Sequence, residues 1–166
     1  MSVSSKIFYV VSISLFYYSC GSGKKSTSNK TYFKTAAEYN HYIDYRFNEV
    51  NRLWNVTLTY MDDSLLVYKQ LDSLKYATQI AIYDMNKLSD FKGDTTYKYR
   101  AAQYFKYILM TTQNDLVEAI EIGLMENISD SLYFRYMEIG NQIGANKQTY
   151  INQLRAAQRN FTAIAQ

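Results

Sequence analysis

The chain contains long segments in which apolar residues recur at alternating steps of three and four, and no proline interrupts them. Such spacing places apolar side chains along one face of an α-helix. Because proline breaks helix interiors, its complete absence permits helices longer than the average of about 10–14 residues. The chain is therefore predicted to be all-α, with helices whose apolar faces pack against one another.

Four such stripes follow one another after residue 31. They consist of Ala36, Ile43, Phe47, Val50, Trp54, Thr57 and Met61; of Val67, Leu71, Leu74, Thr78, Ala81, Met85 and Leu88; of Ala102, Phe105, Leu109, Thr112, Leu116, Ala119 and Gly123; and of Tyr136, Ile143, Tyr150, Leu154, Ala157, Phe161 and Ile164. Short connections make successive helices antiparallel neighbours. Residues 31–166 are therefore predicted to form one domain, an up-down-up-down four-helix bundle with a shared core.

The connections between the stripes contain residues that begin and end helices. Asp63 or Ser64 is predicted to cap the second helix, because both side chains can accept a hydrogen bond from a free backbone N–H group. Asp94 or Thr95 is predicted to do the same for the third helix. Gly93 lies in the central connection, where we expect a turn with positive φ.

The two halves of the domain resemble each other in sequence. Residues 31–43 align with residues 96–108, with seven of thirteen positions identical. An Asp-Ser-Leu sequence also opens the second helix of each half, at Asp63 and at Asp130. A duplicated helical hairpin would explain both matches and would give the bundle an approximate two-fold axis. Shared helix-start chemistry in a tyrosine-rich chain is the alternative explanation.

The start of the chain differs in character from the helical domain. Lys6 precedes a short apolar run over residues 7–18, whereas a membrane span needs roughly 20 apolar residues. The run ends just before Cys20, the only cysteine, and a polar tether follows over residues 20–30. This pattern predicts a signal peptide over residues 1–19 and lipidation of Cys20, which would attach the chain to a membrane. A plain secretory signal and an uncleaved anchor are the alternatives.

Three motifs in the helical domain are similar to those of a known family. They are Ala36-Ala-Glu-Tyr-Asn40, Asp90-Phe-Lys-Gly-Asp-Thr-Thr-Tyr-Lys98 and Ala101-Ala-x-x-Phe-Lys-Tyr107. They resemble sequences in a family of small helical bacterial surface lipoproteins that has no assigned activity. The resemblance implies a helical bundle, a lipid anchor at Cys20 and a place in the bacterial cell envelope, at the outer membrane or the cell surface. It transfers no catalytic residue to this chain.

The distribution of charge argues against nucleic-acid binding. The chain carries 18 lysines and arginines and 15 aspartates and glutamates. Four of the lysines lie in residues 1–30, so the helical domain has 14 basic and 15 acidic residues. Nucleic-acid binding requires a basic face, which a domain of this charge is not expected to present.

One pair of side chains has the spacing of a metal site. Glu38 and His41 match the Glu-x-x-His element that di-iron bundles use twice. His41 is the only histidine, so the second element cannot be formed. The sequence also lacks a glycine-rich phosphate loop and any further histidine that could activate a nucleophile. We therefore expect no metal, no cofactor and no enzymatic activity, and we interpret Glu38 and His41 as part of a solvated first turn.

Tyrosine is frequent, with fifteen residues after position 20. Tyr39, Tyr42 and Tyr45 have spacings that would form a surface stripe, and so do Tyr97 and Tyr104. Such a stripe suits a protein or glycan partner, because tyrosine offers both contact area and a hydroxyl group. The favoured interpretation places the rings against the core and the hydroxyl groups in water.

These features favour a non-enzymatic, lipid-anchored envelope protein with a binding or structural role. Its protein or glycan partner cannot be identified from the sequence. The alternative is a small-ligand carrier, in which Gly123, Gly140 and Gly144 leave room for a slot between helices. Gly140 and Gly144 could instead bend the last helix or admit close packing. An apolar cavity would favour the carrier, and a patch of exposed tyrosines would favour the partner-binding protein.

Overall fold

A computed structural model describes residues 30–165 of the chain. Its helices are α1 (Ala36–Thr59), α2 (Ser64–Lys87), α3 (Thr96–Gln113), α4 (Asp115–Gly123) and α5 (Asp130–Ala165). A single residue separates α3 from α4, and the two together form one of the four rods of a bundle. The expected all-α four-helix bundle is confirmed. Over the described range, β-structure is limited to two isolated bridges.

The sequence predicts an unbroken third helix, and this prediction is wrong at Asn114. The backbone of Asn114 leaves the helical region, with φ −128° and ψ −87°. Its side-chain amide donates to the carbonyl of Met110 at 2.8 Å, and the hydroxyl of Thr112 donates to the carbonyl of Leu109 at 2.8 Å. Side chains that bond to the preceding turn compete with the backbone hydrogen bonds of a helix. The rod is therefore interrupted where a run of such side chains occurs.

Contacts between α1 and α5 show the relative direction of these helices. Asp44 accepts a hydrogen bond from Arg155 at 3.1 Å, and ten residues further along α1 the ring of Trp54 contacts Lys147. As the residue number rises along α1, the number of the contacting residue in α5 falls, so the two helices are antiparallel. On the other side, α2 packs against both α1 and α3. The core is enclosed between these rods.

Side-chain caps fix the starts of α1 and α2. Thr35 and Glu38 form a reciprocal capping box, in which each side chain accepts a hydrogen bond from the backbone N–H of the other residue. Asp63 caps α2 by accepting from the N–H groups of Leu65 and Leu66. Of the two residues predicted for that role, Asp63 is therefore the cap. Each cap of this kind stabilises a helix by about 1 kcal/mol.

The central connection begins with a tight turn. The N–H of Asp94 donates to the carbonyl of Phe91 at 2.9 Å, and the two residues between them, Lys92 and Gly93, have φ of 50° and 85°. The predicted positive φ of Gly93 is confirmed. The carboxylate of Asp94 then accepts from the N–H of Thr96 at 2.7 Å. Asp94 therefore supplies the side-chain bond at the start of α3, and Thr95 does not.

The apolar stripes form the core, and three tyrosines belong to it as well. All seven residues of the second stripe are buried, from Val67 to Leu88. Tyr39, Tyr97 and Tyr104 are each at most 1% exposed. The proposed surface stripe is therefore absent at these positions, and the rings instead fill the space between the rods.

The expectation that these tyrosine hydroxyl groups reach water is wrong. Tyr104 donates to the side-chain oxygen of Asn51 at 2.9 Å, and the hydroxyl groups of Tyr39 and Tyr97 have no partner among the described protein atoms. Both unpartnered tyrosines pack on Phe161, at centroid distances of 5.2 and 5.3 Å. An aromatic side chain buries about 150–250 Å² at about 25 cal/mol per Å². That gain exceeds the cost of about 1–3 kcal/mol for an unsatisfied hydroxyl group.

Matching positions of the two sequence halves face the same core. Tyr39 and Tyr104 are both buried, and so are Ile43 and Ile108. The second helix of each half starts differently, since Asp63 precedes α2 whereas α5 includes its own matching aspartate. The shared core positions are compatible with a duplicated hairpin, which stays a prediction.

The last helix, α5, is the longest, with 36 residues. It continues through Gly140 and Gly144, and a Cβ atom added at either glycine would meet no heavy atom within 4 Å. Close packing at these glycines, one of the three roles suggested by the sequence, is therefore wrong. The second role, leaving room beside the helix, agrees with the open space at both positions. The third role, a bend in the helix, stays a prediction.

Candidate functional site

An apolar groove lies where the end of α1, α4 and the first half of α5 meet. It encloses about 290 Å³, close to the lower limit of about 300–1,000 Å³ for small-molecule sites. It is lined by Trp54, Leu58, Met61, Leu116, Ala119, Tyr136, Met137, Gly140, Asn141, Ile143, Gly144 and Lys147. Leu58 and Met137 are each more than 40% exposed, so the groove opens to solvent between them. A small molecule could enter without any rearrangement of the core.

Two glycines create the open wall of this groove. Gly140 and Gly144 lie one turn apart on α5, and both line the groove. A glycine in a helix interior costs roughly 0.5–1 kcal/mol relative to alanine. Packing does not require glycine at either position, since a Cβ atom added there would meet open space. Gly123, the third glycine predicted to leave room, does not line the groove. A Cβ atom added at Gly123 would lie 3.6 Å from the ring of Tyr136.

Lys147 is the only charged residue that lines the groove. Its ammonium nitrogen lies 4.6 Å from the centroid of the Trp54 ring, a cation–π distance. Burial lowers the pKa of Lys147 to about 8, because the partly apolar surroundings disfavour the charged form. None of the ion pairs found in the described part of the chain includes Lys147.

Arg155, two turns along α5, shows how a paired cation is held in the same interface. Its guanidinium lies 4.6 Å from the centroid of the Phe47 ring, which is the same stacking arrangement on α1. Unlike Lys147, it also donates to the carboxylate of Asp44 at 3.1 Å. The α1–α5 interface therefore contains two stacked cations, of which one has an acidic partner and the other faces the groove.

Besides its apolar walls, the groove presents few polar side chains. Its titratable lining groups are Lys147 and Tyr136, and Asn141 adds a neutral polar group. The lining contains no carboxylate, thiol or imidazole that could act with the lysine as a general acid or base. Apolar walls with a small number of polar groups are typical of small-molecule sites.

The groove and Thr31, which follows the predicted tether in the sequence, lie toward opposite ends of α1. Thr31, five residues before α1, forms an isolated parallel bridge with Leu88. Its N–H donates to the carbonyl of Lys87 at 2.9 Å, and its carbonyl accepts from the N–H of Ser89 at 3.0 Å. Trp54 lies near the other end of α1, whose 24 residues extend over about 36 Å, and Met61 follows that end. A chain held near Thr31 would therefore present the groove away from its point of attachment.

Three of the exposed tyrosines among residues 30–165 follow one another on α2, at positions that the sequence did not single out. Tyr68, Tyr76 and Tyr83 follow one another at steps of seven or eight residues and are 40–67% exposed. Leu65 precedes them at 81% exposed, and we call these four residues the α2 stripe. Of the positions proposed from the sequence, Tyr45 is exposed at 53%. The α2 stripe is therefore an exposed and largely aromatic surface.

The remaining residues named from the sequence lie apart from the groove. Cys20 lies outside the described residues, as does the predicted signal peptide over residues 1–19. Glu38 is used in the capping box of α1, and His41 is exposed beside it. Across residues 30–165, no group of three or more His, Cys, Asp or Glu side chains is arranged to hold a metal ion. None of the described helices has both the length and the apolar character needed to cross a membrane.

No family model, curated protein or solved structure matches this chain. The function is therefore inferred from the groove and from the sequence. The family resemblance of the three motifs stays an expectation.

Proposed function

We propose that the chain is a non-enzymatic, lipid-anchored protein of the bacterial cell envelope whose helical bundle carries a small apolar ligand. The groove between α1, α4 and α5 is the single observation that supports the carrier function. The sequence alone favoured a protein with a binding or structural role and kept a carrier as the alternative. An apolar cavity was the feature that would favour the carrier, and the groove has this character.

The energetic cost of the groove supports the same proposal. Gly140 and Gly144 each lower helix stability, and Leu58 and Met137 leave apolar surface in water. A ligand that covers this surface would recover part of the lost hydrophobic free energy. The tether would keep the protein at the outer membrane or the cell surface, with the groove directed away from the anchor.

Ligand binding can be measured directly, because the only tryptophan, Trp54, lines the groove. Titration of the chain from residue 20 onward with decanol is expected to give a saturable change in Trp54 emission. The double substitution Gly140→Leu with Gly144→Leu places side chains in the open space and should abolish this change. Leucine is a good helix former, so the variant is expected to remain folded.

The matched control is Gly140→Ala with Gly144→Ala, which adds two methyl groups where no atom lies within 4 Å. This variant should keep decanol binding and gain roughly 1–2 kcal/mol of stability from helix propensity. Decanol binding that is unchanged by the leucine pair would place the ligand elsewhere, and absence of binding to the unaltered protein would refute the carrier function.

The proposed anchor has an independent test. Growth of the producing bacterium with a fatty-acid probe is expected to label the unaltered protein and to leave Cys20→Ser unlabelled, since the thiol is the point of attachment. Membrane fractions should contain the first protein and lack the second. Equal labelling of both proteins would exclude lipidation at Cys20 without affecting the proposal for the groove.

A further inference from the structure

We infer that the groove selects an anionic amphiphile, a single alkyl chain with a carboxylate head group, and that the ammonium group of Lys147 binds the carboxylate. This inference rests on the proposed carrier function and adds the chemical class of the ligand. It follows from the charge, the shape and the exposure of the groove.

The charge of the groove is positive and is not neutralised by the protein. Lys147 is the only charged lining residue, and no carboxylate of the described chain lies within ion-pair distance of it. Seven ion pairs elsewhere show that this bundle can supply such partners, including Asp44 for Arg155 on the same helix. An amine in partly apolar surroundings binds a carboxylate more strongly than an exposed amine does, because less water competes for either group. Charge complementarity therefore favours an anion over a neutral or cationic head group.

The shape of the groove defines the rest of the ligand. Leu58, Met61, Leu116 and Met137 provide flexible or aliphatic walls, which suit an alkyl chain. The volume of about 290 Å³ is small for a ligand site, which favours a molecule with one short chain over a lipid with two chains. Trp54 holds the ammonium group from one side, so the carboxylate must approach from the groove. The alkyl chain would then lie toward Leu58 and Met137, where the groove opens.

Binding of the carboxylate should weaken as Lys147 loses its proton. With a pKa of about 8, Lys147 is mostly charged at pH 7 and mostly neutral at pH 9. The lining residues from α1 and α4 do not titrate, and α5 itself contributes Tyr136. Tyr107 of α3 does not line the groove, but its hydroxyl donates to the carbonyl of the lining residue Ile143 at 3.0 Å. Burial raises the pKa of Tyr107, so it stays neutral over this interval. Affinity for a carboxylate should fall by about tenfold from pH 7 to pH 9, and affinity for an alcohol should not change.

The test compares decanoate with decanol, which differ in the head group, by Trp54 fluorescence on the chain from residue 20 onward. The key quantity is the ratio of the two dissociation constants. Substitution Lys147→Met keeps an unbranched side chain and removes the charge. We expect Lys147→Met to weaken decanoate binding relative to decanol binding by about tenfold at pH 7. The dissociation constant for decanol should stay within about twofold of its value in the unaltered protein. Lys147→Arg keeps the charge and should keep most of the preference.

Lys106→Met is the matched control, since it removes the same charge from an exposed position on α3. It should leave the ratio unchanged. An equal ratio in the unaltered protein and in Lys147→Met would overturn the assignment of the carboxylate to Lys147, although binding of both ligands would still support the carrier function. If decanol binds and decanoate does not, the inference also fails and the carrier function stands. If neither ligand binds, both fail.

Discussion

Replacement of Phe105 by alanine is expected to destabilise the bundle by about 3–5 kcal/mol, the range for loss of a buried aromatic ring. Phe105 is fully buried in α3, and its ring meets that of Tyr104 edge to face at 5.6 Å. Domains of this size have a total stability of about 5–15 kcal/mol, so a large part would be lost. Urea unfolding followed by circular dichroism measures the change.

An insertion beside Gly93 is the comparison for this prediction. Gly93 is exposed in its turn, and two added flexible residues should cost about 1 kcal/mol, because loop-closure entropy grows slowly and a single turn hydrogen bond is lost. A larger loss from the insertion than from Phe105→Ala would mean that the central connection, not the α3 core, carries the stability of the bundle.

Alkaline pH is expected to unfold the protein through its buried tyrosines. Burial raises the pKa of Tyr39, Tyr97 and Tyr104 well above the ordinary value of 10.0. Above pH 10 the unfolded chain therefore releases protons that the folded chain retains, so stability is complete below pH 10 and falls as the pH rises. Each tyrosine contributes about 1.4 kcal/mol per pH unit, or about 4 kcal/mol per unit for the three. Circular dichroism from pH 9 to pH 12 should show the transition.

Tyr97→Phe isolates one contribution to this transition. Its buried hydroxyl group has no partner among the described protein atoms, so its removal should raise stability at pH 7 by about 1–3 kcal/mol and shift the alkaline midpoint upward. Lys147 changes stability in the opposite direction. Burial lowers its pKa to about 8 in the folded protein, whereas its pKa in the unfolded chain is about 10.5. The contribution of Lys147 therefore raises the free energy of unfolding between these two pH values. A free energy of unfolding that does not fall between pH 10 and pH 12 would contradict the assigned burial of the tyrosines.

The sequence predicted the bundle well where side chains are plainly apolar. Every residue from Val67 to Leu88 in the second stripe is buried. Tyrosine was harder to place, because one side chain combines a large apolar ring with a hydroxyl group that usually reaches water. Tyr39 and Tyr97 therefore seemed suited to the edge of the core and lie inside it. The interruption at Asn114 was also missed, since it depends on side-chain bonds to backbone carbonyl groups that apolar periodicity does not report.

The sequence predicted only some of the residues that line the groove. Gly140 and Gly144 were recognised as residues that could leave room, but Lys147 was not singled out. A signal existed, since Gly140, Gly144 and Lys147 continue the steps of four and three that begin at Tyr136. A lysine at an apolar-stripe position lies on the inner face of its helix. Its lack of an acidic partner depends on neighbours from α1 and α4, which a single helix pattern cannot show.

The proposed carrier function depends most on the assignment of the groove between α1, α4 and α5 as the ligand-binding site. Diffraction at the bromine absorption edge, from crystals grown with a bromine-labelled alkyl alcohol, locates the bound molecule without any assumption about its affinity. We expect anomalous density beside Trp54, Met137 and Gly144. Bromine found only on the α2 stripe, or at no site on a protein that is saturated in solution, would contradict the assignment of the groove as the binding site.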